Sequence, residues 1–373
     1  MKDLRLVLAL LMIGIGLGTI FIALAFNTVG NGPSSFSVGL DTAAEEPEIP
    51  QGTALAQKCS QPGVVTCFGF DSPAALHYAW PAGTVCDEAF RGQKNEQFSR
   101  DREGRGNTLA VVQNGKCVFP EIDKTTFHSG SGALKLTIPS NSSADSGGYF
   151  SEVFKRSREG RPLGTYIGPE SPWGKVLYFQ FYQRFDSDFL DTDFRCLEGD
   201  CAGWKQASWY GNPPNGDRGS SLEVSLNNGR QRGVPQVDGR IGDYVQDIRG
   251  CFHNSGAAID AGSDSESNVN YPEPPCVRYK ANQWMEFTGR IEIRGENNQA
   301  ASRVQLWVDG KLAVDYDQAK IDWAGSSGNG FGQFLLSPYH KKKDGSQGHP
   351  TGHTWYDDLI ISTQPISMGD VVN

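Results

Sequence analysis

The chain has 373 residues, a formal charge of -9, 45 glycines and 20 prolines. This acidic, turn-rich composition describes a globular body and excludes the basic stripe that a nucleic-acid surface needs. It also excludes capture of polyanions by overall charge, so only a local basic patch could do that work.

Residues 1–26 open with Lys2 and Arg5 and continue as an uncharged apolar run from Leu6 to Phe26, long enough to cross a bilayer as a helix. The run implies export. It reads either as a signal peptide with the small-x-small site Ala23-Leu24-Ala25 or as a retained transmembrane anchor, because it exceeds the usual secretory apolar core. Positive charge on the short flank puts that end in the cytoplasm and the body outside, so an extracellular or cell-surface location is expected. Residues 27–57 carry Gly, Ser, Pro, Ala and Glu without apolar periodicity and read as a flexible linker.

A single folded domain is expected over 58–366, with a tail at 367–373. Cys59, Cys67, Cys86, Cys117, Cys196, Cys201, Cys251 and Cys276 make an even set in an exported chain, for which disulfides are the default reading. The simplest pairing joins sequence neighbours, with Cys196–Cys201 and Cys251–Cys276 closing loops. Zinc is the rival reading, but no CxxC pair exists.

Strands are predicted at 133–138, 176–185, 221–227, 284–293 and 303–308, each by period-2 alternation between turn-formers. Asp309-Gly310 predicts a tight hairpin after Val308, since both central positions of a type I′ turn need positive φ. The segments 186–219 and 231–279, rich in Gly and Asp and holding four of the cysteines, read as long loops pinned by crosslinks. The stretch 331–363 reads as a closing hairpin of two apolar strands joined by a polar loop.

In the strand 176–185, Leu177, Phe179, Phe181 and Phe185 form a core face, and Tyr178, Gln180, Tyr182 and Arg184 an opposite face suited to stacking on sugar rings and gripping hydroxyls or a carboxylate. The bland alternative is a sheet face covered by a loop. Glu223, Trp307 and Gln333 stand on similar polar faces and would line one groove if they shared a sheet. Glu286, Thr288, Arg290 and Glu292 read instead as a plain solvent face.

The segments HSGSGALKLTI (128–138), 178–185, VQLWVDGKL (304–312) and TWYDDLIIS (354–362) together resemble the concanavalin A-like jelly roll of lectins, glucanases and several polysaccharide lyase families. The likeness spans roughly residues 59–365. It implies an all-β fold, a sandwich of two antiparallel sheets with long loops. The segments SPYHKKK (337–343) and TWYDDLIIST (354–363) are most similar to the lyase-like branch, although no lyase family's whole catalytic signature is matched. The resemblance further implies a structural calcium held by Asp357 and residues around Asp71, hard oxygen ligands of the kind that ion takes.

The E-x-D-x-x-E signature of jelly-roll glucanases is absent, which disfavours a hydrolase with paired carboxyl groups. A lyase acting on a uronate needs a carboxylate neutraliser and proton carriers. Tyr339, His353, His340 and Lys205 supply that inventory, with Tyr339 first for proton transfer and His353 second. Lys341, Lys342 and Lys343 would draw an acidic polymer toward them or form a solvated loop tip. Pro350 and Gly352 rule out helical metal-ligand spacing among His340, His349 and His353. The expected function is a lyase on an acidic, uronate-containing polysaccharide, the alternative a non-catalytic carbohydrate-binding or adhesion protein.

Overall fold

The structure is a computed structural model that describes residues 54–73, 77–78, 107–109, 111–113, 116–118, 120–141, 148–153, 167–169, 171–192, 194–195, 197, 204–211, 219–228, 235–241, 244–249, 258–260, 279–297, 299–321, 330–340 and 343–368. The expected signal or anchor, Lys341, Lys342, and Cys86, Cys196, Cys201, Cys251 and Cys276 lie outside them.

In chain order the elements are helix α1 (Ala54–Cys59) and strands β1 (Val64–Phe68), β2 (His77–Tyr78), β3 (Asn107–Leu109), β4 (Val111–Gln113), β5 (Lys116–Val118), β6 (Glu121–Asp123), β7 (Ala133–Ile138), β8 (Tyr149–Val153) and β9 (Val176–Phe185). Helix α2 (Ser187–Asp191) follows, then β10 (Trp204–Gly211), β11 (Gly219–Asn228), β12 (Pro235–Ile241), β13 (Tyr244–Arg249), β14 (Ala258–Asp260), β15 (Trp284–Glu292), β16 (Ala300–Val308), β17 (Lys311–Lys320), β18 (Phe331–Leu336) and β19 (Gly352–Ser362). An eight-stranded sheet runs β17-β16-β15-β9-β19-β7-β6, with β1 also paired to β19; a nine-stranded sheet runs β14-β13-β12-β11-β10-β18-β8-β3-β2. Pairing is antiparallel except between β2 and β3. The fold is an all-β sandwich of two large sheets.

The core lies between the sheets. Phe179 and Phe181 of β9, Phe287 of β15 and Tyr356 of β19 meet Trp209 of β10 and Phe334 and Leu336 of β18. The Phe179 and Trp209 ring centroids are 4.0 Å apart. Gly289 makes room for this contact, because a Cβ there would stand 2.0 Å from the Phe179 ring. Asp309 and Gly310 have φ of 48° and 69°, and Val308 pairs with Lys311, as the hairpin prediction requires.

Four expectations are corrected. β18 and β19 belong to different sheets, so 331–363 is a crossover between layers and not a hairpin. The expected loops 186–219 and 231–279 contain β10, at the middle of the nine-stranded sheet, and the β12–β13–β14 meander. The supposed linker end is structured, since α1 begins at Ala54 with Leu55 and Lys58 buried. Finally, the outer face of β9 and β15 is no solvent face and no open groove.

That face is a buried polar layer. Lys58 Nζ donates to Gln180 Oε1 at 2.8 Å and lies 3.9 Å from Glu286 Oε2. Gln180 Nε2 donates to Thr288 Oγ1 and to the Ser367 carbonyl, and the Tyr182 hydroxyl to Glu286 Oε2 at 2.9 Å. The His128 ring stacks on Tyr182 with centroids 3.6 Å apart. Helix α1, fastened to β1 by the Cys59–Cys67 disulfide, and the chain around Ile366 cover Tyr178, Ile360 and their neighbours. Arg290 and Glu292, further along β15, are half-buried and ion-paired to each other.

Removing one member of a buried charge pair strands the other. Lys58→Ala is therefore expected to cost about 3 kcal/mol in urea unfolding, and Lys58→Met with Glu286→Gln clearly less than that.

Candidate functional site

The structure brings two of the four candidate catalytic residues together. The Lys205 backbone N–H, at the start of β10, donates to the Tyr339 carbonyl at 2.9 Å, and Lys205 Nζ lies 5.9 Å from the centre of the Tyr339 ring. Both side chains are partly exposed. They share the end of the nine-stranded sheet where β18 leaves for the other layer.

His340, one residue on, is turned inward. Its ring packs on Phe194 and Phe189, with centroids 4.2 and 5.8 Å away. Burial first, then the neighbouring Lys343 charge, pushes its imidazole down to about 3, so it is neutral at physiological pH. Lys343 is itself buried. His353 opens β19 in the eight-stranded sheet, with its Nδ1 2.8 Å from Asp186 Oδ2, which also accepts from the His353 backbone N–H. The other Asp186 oxygen caps α2 by accepting from Phe189 N–H at 2.7 Å. Asp186 thus orients His353 and starts the helix that packs on His340.

The expected sugar-binding residues do not share one face. Tyr178, Gln180 and Tyr182 lie under α1 and the 366–367 segment, as described, and Trp307 belongs to β16 of that same sheet. Glu223 and Gln333 belong to the nine-stranded sheet, each paired with Tyr210 of β10. Gln333 is only 3% exposed and Ser208 fully buried, whereas Lys205 and Tyr339 are partly exposed. Arg184 is half-buried, its guanidinium carbon 5.8 Å from the Trp355 ring centre.

Asp71 and Asp357 converge on one turn. Asp357 Oδ2 accepts from the N–H groups of His128 (2.8 Å) and Ser129 (3.2 Å), its Oδ1 from Asp358 N–H, and Asp71 Oδ1 from Ser131 N–H. Asp358 binds Ser129 Oγ and the His128 ring, while the Lys124 ammonium donates to the Asp71 carbonyl. Calcium asks for six to eight oxygens. Carboxylates committed to N–H groups, with an ammonium among them, do not fit that cage, and no group of three or more candidate ligands occurs among the described residues.

Sequence reasoning passed over Asp186 and Gln206. Asp186 had a readable signal, an Asp directly before Ser-Asp-Phe-Leu, the pattern of a helix N-cap. Gln206 had none, for reasons given below.

No protein-family model and no curated protein sequence matches the chain. Among solved structures it is similar to alginate lyase Aly36B (12% identity, 81% of this chain and 97% of that one, TM-score 0.38) and to the PL-14 alginate lyase from Aplysia kurodai (13%, 65% and 87%, TM-score 0.40). It is similar also to the binding domain of botulinum neurotoxin DC, solved with rat synaptotagmin II (10%, 69% and 48%, TM-score 0.35). Likeness at this level carries no argument about activity; the fold rests on the strand pairing.

Two buried groups make opposite pH predictions. Because the His340 value lies below its ordinary 6.5, the unfolded chain takes up a proton that the folded one refuses, and stability falls as pH drops from 6.5 toward 3. His340→Phe is expected to remove about 2 kcal/mol of the loss between pH 7 and pH 5 in denaturant titrations. Asp357 is pushed up to about 9 by burial and then by the adjacent Asp358 carboxylate. Its contribution is complete below the ordinary 3.8 and is lost as pH climbs toward 9. Asp358→Asn removes the like charge and tolerates the φ of 48° there, so the loss between pH 5 and pH 8 is expected to shrink by about 1 kcal/mol or more.

Proposed function

We propose that the protein is an extracellular lyase that cleaves a uronate-containing polysaccharide by β-elimination, with Tyr339 and Lys205 as its catalytic residues. The observation that carries this reading is the juxtaposition of a phenol and an ammonium on an accessible part of the nine-stranded sheet. In the reaction the C5 proton leaves, its electron pair forms a double bond to C4, and the bond from C4 to the glycosidic oxygen breaks, with a proton delivered to that oxygen. Tyr339 is the proton carrier. Lys205 offsets the charge that builds on the uronate carboxylate as the C5 proton departs, the step at which a fixed charge lowers the barrier most. His340, neutral and enclosed, has no part in it, and His353 is held by Asp186.

The second reading, a non-catalytic carbohydrate-binding protein, is favoured by the burial of Gln333 and Ser208 on the strands that lead to Lys205 and Tyr339. Exposing the chain to alginate, glucuronan, pectate and glycosaminoglycans while following ultraviolet absorbance separates the two, because the unsaturated product absorbs. An absorbance rise is expected on at least one polymer. Tyr339→Phe is expected to lower kcat by at least about a hundredfold with KM little changed. Retention of a polymer in an affinity gel with no absorbance rise would establish the binding reading instead.

A further inference from the structure

The position of Lys205 conflicts with strand alternation. Ala207 and Trp209 of β10 point into the core, so regular period-2 geometry would point Lys205 there too. The pairing with β11 shows how this is avoided. Lys205 pairs with Asn227 and Ala207 with Leu226, two steps on β10 against one on β11, which is a β-bulge at Gln206. The extra residue reverses the parity and sends Lys205 to the outer face beside Tyr339.

The bulge is tied from inside the sandwich. Gln206 is fully buried. Its Nε2 donates to Gln183 Oε1 on β9 at 2.8 Å, and its Oε1 accepts from the Tyr279 hydroxyl at 2.5 Å. Its backbone carbonyl accepts from the Tyr356 hydroxyl of β19 at 2.9 Å and from Ser337 N–H at 3.0 Å. Gln183 continues the chain to Thr354 at 3.0 Å. Polar bonds crossing an apolar interior are needed neither for burial nor for the sheet ladders, and each leaves a costly orphan if broken.

We propose that Gln206 is a positioning residue: anchored through the core to Gln183, Tyr279 and Tyr356, it holds the bulge that sets Lys205 against Tyr339. The inference rests on the lyase reading for its catalytic consequence but not for its structural one. The opposite sheet thereby fixes the geometry of the pair.

The test uses the full chain with Gln206→Met, which keeps length and volume, and Tyr356→Phe, which leaves the Gln206 side chain in place and removes the hydroxyl bound to its carbonyl. The first readout is the rate at which Lys205 is acylated by a water-soluble amine reagent, followed by mass spectrometry and normalised to the exposed Lys311. Both variants are expected to change it at least threefold with the far-ultraviolet circular dichroism unaltered. The second readout, on whichever polymer the chain cleaves, is kcat, expected to fall at least tenfold with KM within threefold. If Tyr356→Phe folds and neither Lys205 labelling nor kcat changes, the positioning role is overturned even where Gln206→Met fails to fold. If labelling shifts but no polymer is cleaved by the parent protein, positioning stands and the lyase reading falls.

Discussion

Polar groups enclosed by this sandwich must be answered by other protein groups, and much of the arrangement around the site follows from that requirement. An unanswered donor or acceptor in an apolar interior costs of the order of 1–3 kcal/mol, a large share of a domain's net stability. The chain nevertheless carries Gln183, Gln206, Thr354 and the hydroxyls of Tyr279 and Tyr356 into the space between its sheets, and each of these meets a partner on a different strand. These bonds are directional, unlike the phenylalanine packing around them. They fix which strand pairs at which register, where apolar contacts alone would tolerate a slip.

The same requirement operates on the back of the eight-stranded sheet. Lys58, Gln180, Glu286 and Thr288 are polar enough to face water, yet α1 and the segment near Ile366 close over them. Closing that layer turned residues suited to gripping a sugar into residues that grip one another. The accessible chemistry was left on the other sheet, where Lys205 and Tyr339 meet.

The sequence carried the strand periodicity well. β7 and β9 match their expected limits, and the apolar face of β15 is buried as alternation demands. What alternation could not reveal was which polar face would be covered, because covering is decided by segments distant in sequence; Lys58 reaches a residue 122 positions away. Nor could it reveal β10. In Trp204–Gly211 the bulge breaks the period, and the polar Gln206 stands where an apolar residue would have marked a strand. The pairing of Lys205 with Tyr339 was legible only as an inventory of residue types, since their contact depends on that irregularity. β18 and β19 were recognised as strands, but a polar loop between two apolar runs looks the same whether it turns back or crosses between layers.

The place of β19 in its sheet bears on how the protein comes to be folded. This strand lies between β9 on one side and β7 and β1 on the other, joining segments near residues 64, 136 and 180 through residues 352–362. Until a ribosome has released residue 362, the eight-stranded sheet is three unjoined pieces with bare edges, and its loop closures are among the longest in the chain. Topology of that kind folds slowly and exposes sticky edges meanwhile. The chain must therefore complete this sheet after most of its synthesis, and any cellular machinery that handles it meets an open, aggregation-prone intermediate and not a domain assembled as it emerges.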